Sequence, residues 1–274
     1  MATNYETLRL EETGTVLFAT IDAPPMNMLG PELVRDLVSL IETLDKGDPY
    51  KVVVFKSADP DYFISHVDVT KIAAYREEAA KLTGEASIAL LFRRLSETKA
   101  VTIAQIEGRV RGAGSEFILS CDMRFAAHGR AIFSQMEPAF GQIPGGGAAQ
   151  HLVRLLGRGR AFEVMLSADD YGADLAGRYG WVNRSFAPDA LAPFVSALAE
   201  RIASFPSAGH TVVKERVNAI SLAPAEDFRR DSDLFAEGVK NAETQRRIQA
   251  AFNRGFQTRD AEKDLGRMLA DLAE

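Results

Sequence analysis

The chain reads as an α/β core followed by a helical C-terminal region. Short apolar, β-rich runs alternate with amphipathic stretches through the first two thirds of the sequence. Small-residue clusters stand where strand-like runs pass into helix-like ones, and almost everything after Pro188 has helical periodicity. With 274 residues, 46% hydrophobic and 26% charged, the composition is that of an ordinary globular protein with one large domain or a domain and an appendage. We therefore expect a core over residues 1–205 and a helical region over 206–274.

Taken in order, residues 5–10, 16–21 and 52–55 are strand-like. Residues 31–44 place Leu33, Leu37, Leu40, Ile41 and Leu44 on one helical stripe. The Pro24-Pro25 pair makes the preceding loop rigid, because proline locks φ. Residues 67–95 are mostly helical, with a break at Thr83-Gly84, and 101–106 form a buried strand. A helix over 116–121, a strand over 131–134, helices over 148–156, 161–166 and 174–179, and a strand over 181–185 follow. Pro206 and Pro224 divide the remaining helical stretch into about three pieces.

Composition also excludes several functions. A formal charge of −6 argues against broad nucleic-acid binding, which needs a basic face. The single cysteine, Cys121, rules out an internal disulfide framework and lies on an apolar helix face, where a buried inert thiol is the ordinary reading. His66, His128, His151 and His210 lack metal-ligand spacing, so no metal is expected. The first residues carry neither a basic segment nor an apolar one, and no apolar run is long enough for a bilayer. A cytoplasmic protein without a membrane partner is expected.

Two glycine clusters fail as nucleotide motifs. Gly112-Ala113-Gly114-Ser115-Glu116-Phe117 has Phe117 where a dinucleotide turn needs its third glycine, and Gly145-Gly146-Gly147 lacks the Lys-Ser/Thr of a phosphate loop. Ser115 is not in a nucleophile elbow. What remains is two loops with exposed amides and two carboxylates. The loop Phe63-Ile64-Ser65-His66-Val67-Asp68 offers the Val67 amide, and the Gly112–Glu116 turn offers that of Ala113. Amides from separate segments make an oxyanion hole for an enolate, with Glu116 and Glu137 as proton carriers beside it. Taken alone, the Gly112 turn is equally well an ordinary tight connection with a surface glutamate.

Five blocks in order resemble the enoyl-CoA hydratase/isomerase (crotonase) superfamily. They are Pro24-Pro25-Met26-Asn27, the segment from Val52 to Val69, Gln105 to Phe117, Phe133 to Gly145, and Tyr179-Gly180-Trp181-Val182-Asn183. The resemblance implies a crotonase-like spiral of ββα units with a helical C-terminal trimerisation region. It further implies a homotrimer or dimer of trimers acting on an acyl-CoA thioester, with no cofactor beyond the coenzyme A of the substrate itself. By position it makes Val67 and Ala113 the oxyanion hole and Glu116 and Glu137 the catalytic pair. Pro25, Met26, Ile64, Ser65, His66, Asp68, Gly112 and Gly141 would bind substrate. Because both glutamates are present, hydration of a 2-enoyl-CoA is the leading expectation. An isomerase or other enolate reaction and a catalytically silent CoA-thioester-binding protein are the alternatives. His66 stands where the family has glycine, and Met136 where it has proline.

Overall fold

A left-handed Gly14 (φ +61°) folds strand β1 (Leu8–Thr13) back onto β2 (Val16–Ile21), pairing Leu8 with Ile21 and Thr13 with Val16. The computed structural model describes residues 5–46 and 49–273. After the hairpin come α1 (Pro31–Lys46), β3 (Val52–Ser57), β4 (Tyr62–Ile64), α2 (Ile72–Thr83) and α3 (Ile88–Glu97). Next are β5 (Val101–Ile106), β6 (Arg109–Arg111), α4 (Ala113–Leu119), β7 (Met123–Ala127), β8 (Ile132–Ser134) and a 3₁₀ turn at Glu137–Phe140. The mixed part ends with α5 (Ala148–Leu156), α6 (Arg158–Ser167), β9 (Tyr171–Gly172), α7 (Ala173–Tyr179) and β10 (Arg184–Phe186). The helices α8 (Pro188–Ala203), α9 (Ser207–Ser221), α10 (Ala225–Gly238), α11 (Ala242–Asn253) and α12 (Leu265–Ala270) follow, with 3₁₀ turns at Ala261–Asp264 and Asp271–Ala273.

The strands form a six-stranded sheet, β1-β2-β3-β5-β7-β10, and a four-stranded sheet, β4-β6-β8-β9. Each of the pairs β3–β4, β5–β6 and β7–β8 sends one strand to either sheet before the chain passes into helix or 3₁₀ turn. Parallel pairing then stacks successive turns: β3 on β5 on β7, and β4 on β6 on β8. This is the expected spiral. Its interior is filled by the predicted α1 stripe, Leu33, Leu37, Leu40, Ile41 and Leu44, together with Phe55, Phe92 and Phe117. Phe117 meets Phe55 edge-on at 5.0 Å and Phe92 at 5.6 Å, the geometry that aromatic quadrupoles favour. Helix α8 covers the other face of the large sheet with Leu191, Val195 and Ala199.

Several boundaries differ from expectation for identifiable reasons. The helical region 67–95 begins only at Ile72, and it breaks at left-handed Gly84 as anticipated. Helix α4 starts at Ala113, three residues earlier than predicted, because the Gly112 carbonyl already accepts from the Glu116 amide. Trp181 and Val182 are not strand residues; they close α7, their amides donating to the Ala176 carbonyl, and the strand starts at Arg184. The C-terminal helices break twice more than the prolines suggest. Asn241 caps α11 by accepting from the Glu243 amide at 2.8 Å, and left-handed Gly255 (φ +88°) follows its end. None of the helices among the described residues is long and apolar enough to cross a membrane.

Candidate active site

Glycine at position 114 brings the two amide-bearing segments together. A Cβ there would stand 2.1 Å from the Ile64 carbonyl oxygen, so only glycine lets the start of α4 press against the end of β4. Parallel pairing of Ile64 with Val110 holds the same junction from the sheet side. Gly114→Ala should therefore force the two segments apart. We expect an overpacking cost of about 1–3 kcal/mol or more, together with loss of turnover, read as a lowered Tm beside an activity assay. An unchanged Tm and full activity would show that the junction tolerates separation.

Both predicted amides are free, for different reasons. Val67 does not begin a helix; it forms a parallel bridge with Leu29. The flanking groups make that bridge, Leu29 N–H to the His66 carbonyl at 2.8 Å and Asp68 N–H to the Leu29 carbonyl at 3.1 Å. Alternation along the strand then turns the Val67 N–H the other way. Gly112 N–H is used by the Ser134 carbonyl at 2.9 Å, which leaves the next amide, Ala113, at the open start of α4. Neither amide donates to a protein group among the described residues.

Val67, Ala113, Glu116, Glu137 and His66 all line one cavity of about 60 Å³. Glu116 lies on the first turn of α4 and is 2% exposed. Its Oε1 accepts from the Gly146 amide at 2.7 Å and the Ala148 amide at 3.0 Å, which leaves Oε2 close beside the Gly146 Cα. The Gly145–Gly147 run that fails as a phosphate loop thus presents its amides to a carboxylate of the same chain. Its lack of side chains also admits α10, since a Cβ at 145 or 147 would strike Phe235 or Phe228.

Glu137 enters from the 3₁₀ turn, with Pro138 fixing the turn's start and left-handed Gly141 ending it. Its Oε1 sits so close to Gly112 that a Cβ there would be 2.7 Å away, and Oε2 accepts from Gln135 Nε2 at 3.2 Å. Met136, in place of the family's proline, does not turn the carboxylate away; it packs with Phe140, Phe256 and Leu265 beside the cavity. Burial pushes the carboxyl groups of both Glu116 and Glu137 above the usual range, and for Glu137 the nearby Glu116 charge adds to it. Glu116 has the Gly146 and Ala148 amides to favour its ionised form, whereas Glu137 has its own backbone amide and the Gln135 side chain.

The remaining expected residues lie around this cavity rather than in its wall. Asn27 (φ +52°) pins the Pro24–Pro25 loop to β4: its Oδ1 accepts from Ala23 N–H, and its Nδ2 donates to the Tyr62 and Phe63 carbonyls. In that loop Pro25 is exposed, but the Met26 side chain is wholly buried and offers no contact surface. Ile64 and Ser65 are likewise fully buried. Asp68 accepts from Thr70 and from Gln257 Nε2. Gly141 stands against Thr244 of α11, outside the cavity.

His66 is tied down through both ring nitrogens and its ring face. Its Nε2 lies 2.8 Å from Glu262 Oε1, its Nδ1 lies 2.6 Å from the Val67 carbonyl, and its ring stacks on Phe256 at 4.9 Å. Arg111, fully buried, donates to the Glu262 carbonyl at 2.8 Å and holds Asp170 through two bonds of 2.8 and 2.6 Å. Sequence reasoning missed Glu262, which lies 196 residues from His66, and missed Tyr75, Arg76 and Gln142 in the cavity wall. Gln142 lay within the Phe133–Gly145 block, but for the others only helical periodicity was visible beforehand, and it marks a face without saying what the face meets.

A family model described as "Enoyl-CoA hydratase/isomerase" matches residues 11–258. The chain belongs to the enoyl-CoA hydratase/isomerase family. It is 30% identical over 251 residues to a "Probable enoyl-CoA hydratase" of Rhizobium meliloti, covering 91% of this chain and 95% of that one. A crotonyl-CoA hydratase of Syntrophomonas wolfei is 29% identical over 204 residues, covering 73% and 76%. Among solved structures, a candidate enoyl-CoA hydratase from Streptomyces avermitilis superposes with a TM-score of 0.96 at 50% identity over 98% of both chains. As a family member, the chain has its five matched sequence blocks gathered around one spiral core.

Proposed function

We propose that this family member adds water across the double bond of a 2-enoyl-CoA, giving a 3-hydroxyacyl-CoA. The observation that carries this reading is the meeting of two buried carboxylates and two free amides in one small cavity. The amides of Val67 and Ala113 donate to the thioester oxygen and stabilise it as an enolate. Glu116, held by two amides, takes a proton from water as the water oxygen bonds to Cβ. The electron pair of the double bond moves toward the thioester oxygen, and Glu137, in its protonated form, delivers a proton to Cα. Coenzyme A enters as part of the substrate, with Pro25, His66, Asp68 and neighbouring backbone along its path. Loss of enoyl-thioester absorbance with purified protein tests the reading. Absence of turnover across short, medium and aryl chains, with the fold intact, would end it.

The proposed assembly is a homotrimer or a dimer of trimers. It is supported by α9, which buries none of its residues and leaves Val212, Val213, Val217 and Ile220 exposed, Ile220 at 83%. So contiguous an apolar face is the mark of an interface. Val213→Asp combined with Ile220→Asp should convert the oligomer to monomer in sedimentation. A parent protein that already sediments as a monomer would refute the assembly.

A further inference from the structure

We propose that the acyl chain accepted here is short and ends in a carboxylate, which Arg76 binds. This rests on the reading of the cavity as an acyl-CoA site. Arg76 projects from α2 into the wall of the cavity that holds Glu116 and Glu137. Its Nη1 donates to Ser232 Oγ at 3.0 Å and to the Ser232 carbonyl at 3.4 Å. Both acceptors are neutral, and among the described residues no carboxylate forms an ion pair with it. A guanidinium has five donors, so most of this one is left for a ligand. Desolvation pulls its proton affinity down, and the charge of nearby Asp233, which forms no ion pair with it, offsets this only in part.

Its position within the cavity specifies what the ligand must look like. Arg76 and the two glutamates line the same cavity, and among the described residues no ion pair joins them. The rest of the wall is largely apolar, with Val69, Ile72, Ile88, Phe235, Val239 and Ile248. A chain with its double bond at the glutamates, a short hydrocarbon stretch and a terminal anion matches this set of surfaces. The cavity of about 60 Å³ is small, since one water needs about 10–15 Å³ on the same measure, and this favours a short chain. A carboxylate suits the planar fork of arginine in a way that a methyl end does not.

The test compares two five-carbon substrates that differ only at the far end: the CoA monothioester of 2-pentenedioic acid and 2-pentenoyl-CoA. The parent enzyme should prefer the acid-ended thioester by about tenfold or more in kcat/KM. Arg76→Met should reduce or reverse that ratio, and Arg76→Lys should restore part of it. A parent preference for 2-pentenoyl-CoA overturns the proposal. So does an Arg76→Met variant that weakens both substrates equally, the result expected if Arg76 instead held a phosphate of coenzyme A. If neither thioester turns over, calorimetry with the saturated pair, pentanedioyl-CoA and pentanoyl-CoA, separates the two readings. Tighter binding of the acid-ended ligand, lost in Arg76→Met, upholds the Arg76 assignment while hydration fails; equal binding removes it.

Discussion

Glu116→Gln and Glu137→Gln are each expected to lower kcat for hydration by about 10²–10⁴-fold, the range over which a positioned acid or base contributes. KM should change far less, because the coenzyme A end of the substrate touches neither carboxylate in the proposed mode. Glutamine preserves shape and, at position 116, can still accept from the Gly146 and Ala148 amides through its own oxygen. The loss therefore reports the proton step rather than a collapsed site. An enzyme that tolerates Glu116→Gln but not Glu137→Gln would be a one-base isomerase. One that tolerates both would place the chemistry elsewhere.

The same substitutions should stabilise the fold, with a sign set by burial. Both carboxyl groups are shifted upward from the ordinary glutamate value of 4.5. A group whose folded-state pKa is raised is favourable below the unfolded value and loses that contribution as pH climbs toward the folded one. Each glutamine variant should thus melt above the parent at pH 8, and the gap should close near pH 4. Opposite behaviour would mean that the carboxylates are stabilised as anions. Such a trade of stability for activity is common where a site needs charge in a dry cavity.

Glu262→Ala is expected to cost about 3–5 kcal/mol, because it leaves Arg111 and His66 buried beside an unmatched gap. For a chain of this size, that corresponds to a fall in Tm of roughly 10 °C. Activity should fall too, through kcat more than KM, because His66 reaches the carbonyl of Val67, the residue whose amide is proposed to hold the thioester oxygen. Burial opposes the Glu262 charge, but His66 and Arg111 outweigh it and hold the carboxyl below the ordinary value of 4.5. The contribution is then present above that value and disappears as pH falls through the lowered one. Parent and variant stabilities should converge on acidification. A variant that melts with the parent at pH 7 would show that the C-terminal segment adds nothing to this junction.

The α1 stripe, the break at Gly84 and the strand of residues 101–106 were legible because each is a local pattern with a local cause. So were Glu116, Glu137 and both amides as a set, since their blocks follow one another in a recognisable order. The very short strands β6 and β9 were not, having too few residues to show a period. The role of the Gly145–Gly147 run was equally hidden. It looks like a failed nucleotide loop until Glu116, some thirty residues earlier, is seen accepting from its amides.

Local chemistry along the chain was thus enough to name the candidate groups of the site: carboxylates, amides at turns, and glycines where backbone must come close. Their assembly depended on distant pairings. Parallel contacts between β4, β6 and β8 carry Val67, Ala113 and Glu137 to one edge of a sheet, and Gly114 permits the final approach. The partners of His66 and Arg76, Glu262 and Ser232, come from helices and turns more than 150 positions away. Hydrogen-bond patterns within a strand or helix turn repeat every few residues and can be read from their spacing. Which buried charge meets which depends on how whole elements pack, and no local spacing encodes that.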